Sequence, residues 1–373
     1  MSYPDRDINL STDARANKQA PAIEFAVKGA ADLARLRDVW SQMPSIPKLL
    51  ANRLQGEDNS WPGFEVRTLV RGEESSGRWA IHSIILAPGA EFWPHAFDGG
   101  AYFLVMDGEV SVTIGAQSAA LRRGASAFAP AQTTQAFANR SSQPTGFFIA
   151  HTPAGSDRAF AAVHALSRSR PGSAPSDYRR VLSQHGFAFT DGAPQPNDGR
   201  VNAHVPRVDA EIETANDYQL LRERWSKLPP TPRIVRNREE CYNIPVPDQE
   251  TRVLVRPEES SAQASMFAGV LQPGFGAPPH HQPTEEEIFF VQDGAVRLII
   301  GSQTAMASRG AFGFAPRYCT HAFKNEAQEN ALVVTINSPG GHDRGFELAT
   351  KGLTMERLLP RMPAHGFEFH PPA

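Results

Sequence analysis

Cysteine is almost missing from this sequence. Cys241 and Cys319 are the two it has, too few for a disulfide framework, so reduced thiols and a cytoplasmic location are the expectation. No apolar run reaches the ~18 residues that a membrane-spanning helix requires. The opening stretch, MSYPDRDINLSTDARANKQ, lacks the apolar core of a secretory signal. Charge of one sign is not in excess either: the net charge is −3. That leaves no electrostatic case for nucleic acid or an anionic membrane surface as a partner. What the sequence does have is turns. Its 31 prolines and 29 glycines are dispersed between short apolar runs, which points to an all-β sandwich or barrel with few helices. A length of 373 residues is enough for two domains, each with its own core.

The chain also repeats itself. Trp40 and Trp225 lie 185 positions apart, as do EVRTLVR from Glu65 and ETRVLVR from Glu250, Gly89 and Gly274, and His95 and His280. After one inserted residue the offset is 186, relating Gly108 to Gly294, Gly124 to Gly310, Pro130 to Pro316 and Asn139 to Asn325. TPAGSDRAF from Thr152 mirrors SPGGHDRGF from Ser338, and HGFAF at His185 mirrors HGFEF at His365. A register held over so many turn residues is a tandem duplication. The expected division is a polar tail over 1–22, a first unit over 23–190, a linker over 191–210 and a second unit over 211–373. Each unit opens on a short helix, with Leu33, Leu36, Val39 and Trp40 at helical spacing in the first and Leu221, Trp225 and Leu228 in the second. AYFLVMDGEVSVTIG and EIFFVQDGAVRLIIG each read strand, Asp-Gly turn, strand, and the Asp-Gly pair favours a hairpin.

Chemistry concentrates in PGFGAPPHHQPTEEEIFFVQDG, Pro273 to Gly294, and in GAFGFAPRYCTHAFKN, Gly310 to Asn325. In the first stretch Gly274 is followed by five residues and His280. Gln282 stands two further on, and Glu287 precedes Gly294 by six intervening residues. In the second, Gly310, Pro316, Tyr318, His321 and Asn325 are spaced as a linked motif. The pair resembles the two motifs of the cupin superfamily, with Gln282 at the position of the second histidine and Tyr318 at that of a glycine. It is most similar to the quercetin-dioxygenase-like bicupins. The resemblance implies two tandem jelly-roll barrels and one divalent metal, Fe(II) first, with Mn, Ni, Cu or Zn as the other candidates. Its ligand set would be His280, Gln282, Glu287 and His321, and Glu287 would double as the catalytic proton acceptor.

Physical chemistry agrees. Alternate residues of a strand share a face, so positions 280 and 282 point together. Two imidazoles with one carboxylate form a set suited to non-haem Fe(II). Gln282 reads either as a weak fourth ligand or as a hydrogen-bonding neighbour. His281 is its rival if a bulge turns the segment. Glu285 and Glu286 read as a solvated loop, and Cys319 as a plain buried thiol. Phe289, Val291 and Phe323 read either as pocket lining or as ordinary core. In the first unit His95 is kept, but Phe97, Ala101 and Gln135 occupy the other three positions. One imidazole among apolar groups holds no divalent metal. That unit is expected to be metal-free, with an interior that is filled or takes something apolar, and to complete a pseudo-dimer. The functional expectation is a metal-dependent dioxygenase acting with O2 on a small aromatic or enolisable substrate, with a homodimer as an assembly option. The rival expectations are a non-oxidative lyase, decarboxylase or isomerase of the same fold, and a non-catalytic binding bicupin.

Overall fold

The structure, a computed structural model, describes residues 20, 23–191, 195–246, 249–349 and 355–370. The tail expected over 1–22 falls almost wholly outside the described residues. Four antiparallel sheets account for the strands, two of seven strands and two of five. Each repeat contributes one large and one small sheet, and the two face each other as a barrel around a core of their own. In the first barrel that core includes Phe92, Phe103, Val112 and Phe147, and in the second Phe289, Leu298, Ala315 and Val333.

The Asp-Gly turns correct the hairpin expectation. Gly100–Asp107 pairs with Ser126–Ala129 and Thr145–Thr152, whereas Glu109–Ile114 pairs with Thr134–Ala138 and Gln117–Arg122. The chain therefore crosses from the large sheet to the small one at Asp107-Gly108, as a jelly roll does, and Gly108 sits at φ +69°. A side chain there would also meet Thr145 and the Pro144 carbonyl at about 3 Å. The tight hairpins come one strand later, where Ile114 faces Gln117 and Ile300 faces Gln303 across two-residue loops that start on Gly115 and Gly301.

Strand Glu286–Asp293 is buried on both faces, which explains its near-continuous apolar run. Phe289 and Val291 face the second barrel's interior. Ile288 and Phe290 face the other way, into a core shared by the two large sheets, where Phe148 and Phe290 meet at 4.7 Å. Two ion pairs related by the repeat rim this contact, Arg123 with Asp293 at 2.6 Å and Arg309 with Asp107 at 3.1 Å. The barrels also exchange strands. Lys48–Leu50, from the first repeat, pairs with Phe312–Phe314 of the second barrel. Arg233–Val235, 185 positions later, pairs with Ser126–Phe128 of the first.

The opening helices lie at Ala30–Ser41 and Ala215–Ser226 and bury Trp40 and Trp225. Val39, assigned above to the apolar face, is 45% exposed. Phe187–Phe189 pairs with Glu91–Phe97, so HGFAF belongs to the first barrel's sheet. We propose the boundary between the units within 191–210. Asp198 in that segment still holds the first barrel, accepting from Thr134 N at 2.9 Å and Thr134 Oγ1 at 2.8 Å. Among the described residues no helix is long and apolar enough to cross a membrane.

Candidate metal centre

His280 lies in strand Gly276–His281, Glu287 in Glu286–Asp293 and His321 in His321–Lys324. His280 and His321 are direct neighbours across the small sheet, and Glu287 reaches them from the large one. One ligand atom from each of the three lies within 4.8 Å of the others, and all three residues are buried. Both rings are held by the main chain. His280 Nδ1 donates to the Pro278 carbonyl at 2.8 Å and His321 Nδ1 to the Cys319 carbonyl at 2.9 Å. A ring fixed at Nδ1 presents Nε2 as its ligand nitrogen. His321 Nε2 lies 3.0 Å from Glu287 Oε2.

Glu285, Glu286 and Glu287 are all buried, which corrects the solvated-loop expectation for the first two. Glu285 is paired with Arg222 and accepts from Tyr218 Oη at 3.0 Å and His342 Nδ1 at 2.9 Å. Glu286, pointing the opposite way along the strand, meets Arg78 of the first barrel in the shared interface. Glu287 differs: among the described residues no lysine or arginine pairs with it. Its partners are His321 and Gln282, whose Nε2 donates to Oε2 at 3.0 Å. Burial by itself raises the Glu287 pKa. The His321 hydrogen bond and the charges of His342, His321 and His280 outweigh it and hold the carboxyl at about 2. Burial, with His321 nearby, depresses His280 to about 3, so its imidazole is neutral. A buried carboxylate with no permanent cation, facing two neutral-capable imidazoles, is a donor set that fits a divalent metal.

Gln282 is fully buried beside the triad, where it donates to Glu287. Ligation through Oε1 would require its amide to turn over. His281 points elsewhere, lying 3.1 Å from both Glu368 and His370. Tyr318 stands at φ +61° where the motif has glycine, and its N–H donates to the Gln282 carbonyl at 3.0 Å. Gln132 repeats this in the first barrel, at φ +59° and 2.9 Å from the Phe97 carbonyl. Cys319 is a buried thiol beside Thr320. Phe289 stands 5.7 Å from the His321 ring, and Phe323 6.3 Å from Phe289.

Four neighbours escaped the motif. Phe367 and Phe369 lie 6.0 and 5.4 Å from the His280 ring, the latter directly across from it in the sheet. The repeated HGF-x-F segment was the available signal. His342 packs at 4.1 Å on Phe367 and is held by Glu285. Asn337, across from Glu287 in the large sheet, is fully buried with neither side-chain polar atom bonded. For these two only the contrast with Ser156 and His151 at the repeat-related positions would have drawn attention.

A cupin domain model matches the sequence twice, over residues 82–151 and 269–337, one match in each barrel. This chain is a bicupin. Solved structures similar to the bicupin include an oxalate decarboxylase variant from Bacillus subtilis. It has a TM-score of 0.50 and 13% identity, covering 85% of this chain and 87% of that one. The protein YlbA from E. coli is similar at a TM-score of 0.50 and 13% identity, covering 81% of this chain and 96% of that one. At such identity the likeness is one of fold. Comparison with curated proteins returns no match.

Proposed function

We propose that the second barrel is a mononuclear metal site and that the bicupin is a dioxygenase for a small aromatic or enolisable substrate. One observation carries the reading. Of three consecutive buried glutamates, two have an arginine, and the third has only histidines and an amide. His280, Glu287 and His321 would hold the ion, with Fe(II) the first candidate and Mn, Ni, Cu or Zn the others. When bound, such an ion supplies Lewis acidity and, if redox-active, access to O2 chemistry.

The chain's own residues do the rest. The two backbone carbonyls fix both imidazoles before anything binds, so their geometry needs no reorganisation. Gln282 steadies the Glu287 carboxylate through Oε2. Phe289, Phe367 and Phe369 make aromatic walls that exclude water and favour a flat substrate. Asn337 offers a donor and an acceptor to the substrate's oxygen substituents. Glu287 would take the substrate's hydroxyl proton. Arg222, beside this cluster, is committed to Glu285.

Two measurements test the proposal. Metal analysis should find about one ion per chain, lost in His321→Ala and kept in His95→Ala; equal loss in both would remove the assignment. Oxygen uptake should accompany turnover of catechol- and flavonol-type substrates. Turnover that persists without oxygen would transfer the site to a non-oxidative lyase, decarboxylase or isomerase. Metal-free protein in which Glu287→Ala changes nothing would leave a binding bicupin.

A further inference from the structure

The first barrel's interior is not the single imidazole in an apolar set that its motif positions imply. His95 repeats the arrangement of His280, donating Nδ1–H to the Trp93 carbonyl at 2.8 Å. Gln135, at the position of His321, lies directly across from His95 on the adjacent strand. His151, at the position of Asn337, comes from the large sheet, with its ring 6.0 Å from that of His82. Ala101 replaces Glu287, which removes a side chain's bulk from the same interior.

Gln135 and His151 are each 1% exposed. Neither Oε1 nor Nε2 of Gln135, and neither nitrogen of His151, has a hydrogen-bond partner. Buried polar groups are almost always satisfied, and each orphan costs about 1–3 kcal/mol. Gln135 lies across from His95, and the His95 and His151 rings both border Phe187, at 5.2 and 6.1 Å, so the four orphan atoms belong to two side chains of one aromatic-lined interior. Their chemistry is uncharged. Burial holds His95 near 4 and drives His151 well below its ordinary value. Aromatic rings flank them, Phe97 at 4.7 Å and Phe160 at 6.4 Å from His151, and Phe187 at 5.2 Å from His95.

We propose that the first barrel is a second, metal-independent binding site for a small, flat, uncharged molecule bearing a hydroxyl group. The hydroxyl donates to an imidazole nitrogen of His151 and accepts from Gln135 Nε2, while its ring lies among the phenylalanines. A carboxylate is refused, because Gln135 and the neutral imidazoles of His95 and His151 bring no positive charge to meet it.

Phenol is the minimal probe, since phenols stay uncharged until about pH 10. Calorimetry on the full chain should give saturable one-to-one binding that survives in His321→Ala, where the second barrel's site is dismantled. Gln135→Leu and His151→Phe should each weaken it about ten-fold, the loss of roughly one hydrogen bond. Without phenol, Gln135→Leu should melt no lower than the wild type, because an orphan amide has been replaced by an apolar group of like shape. Benzoate, of similar size but charged, should not bind. Absence of phenol binding, equal binding by both variants, benzoate binding as tightly, or a phenol-soaked crystal with only water on Gln135 and His151 would each overturn the proposal.

Discussion

His82 gives the sharpest test of how the first barrel is stabilised. Its ring is fully buried, with Nδ1 3.1 Å from Thr68 Oγ1, Nε2 2.9 Å from Ser156 Oγ and Phe160 at 4.7 Å. Burial depresses its pKa to about 3. The unfolded chain, with a histidine pKa of about 6.5, binds more protons than the folded one between that pH and pH ~3. Stability is therefore present above the unfolded value and is lost as the pH falls. Between pH ~8 and pH ~5 the loss is about 2 kcal/mol per such histidine. His95, held at about 4, adds about as much, and His151 shifts in the same direction. Glu287 stays out of this window, because a carboxyl depressed to about 2 keeps its contribution until the pH falls below about 4.5. The second repeat carries Phe267 at the position of His82, so His82→Phe is a substitution the fold already accommodates. The variant should lose about 2 kcal/mol less than the wild type on acidification, whatever it costs near pH ~8. Urea unfolding followed by tryptophan fluorescence reads this barrel well, since Trp40, Trp61, Trp79 and Trp93 lie in the first repeat and Trp225 alone in the second. Equal acid losses in the two proteins would refute the assignment of His82 as a buried neutral histidine.

Three further outcomes are expected, two in the second barrel and one on the surface of the first. Arg222→Met strands Glu285 without its guanidinium and should destabilise by about 3–5 kcal/mol, seen as a lowered melting temperature. Arg122→Ala, which breaks an exposed pair with Glu109, should cost under about 1 kcal/mol. Gln282→His completes the cupin motif beside Glu287 and should tighten metal binding by about ten-fold or more in competition with a chromophoric chelator; unchanged affinity would mean that position 282 does not face the ion.

The sequence carried the barrels and the triad because both rest on spacing. His280, Glu287 and His321 sit at fixed intervals from turn glycines, and the duplication supplied a second copy to check the register. It misjudged Glu285 and Glu286 because a run of three acids normally signals solvent. The cations that bury them, Arg222 and Arg78, lie far away in sequence, and one belongs to the other barrel. The Asp-Gly turn was misread as a hairpin for a related reason. Turn chemistry sets the local backbone, but which sheet receives the next strand depends on long-range pairing. His151 and His342 lie outside both cupin motifs, and only the folded chain places them beside His82 and Glu285.

The exchanged strands have a consequence for the chain's ancestry. A protein consisting of one repeat would carry the equivalent of Lys48–Leu50 on an arm, and its large sheet would end on an unpaired edge at the equivalent of Phe312–Ala315. Such an edge invites pairing with another chain. Two identical copies satisfy each other by swapping arms around a twofold axis. Fusing them end to end preserves that exchange within one polypeptide and frees each half to diverge. One copy could then keep a histidine–glutamate cluster while the other gave up its carboxylate for Ala101, without either losing the strand that closes it.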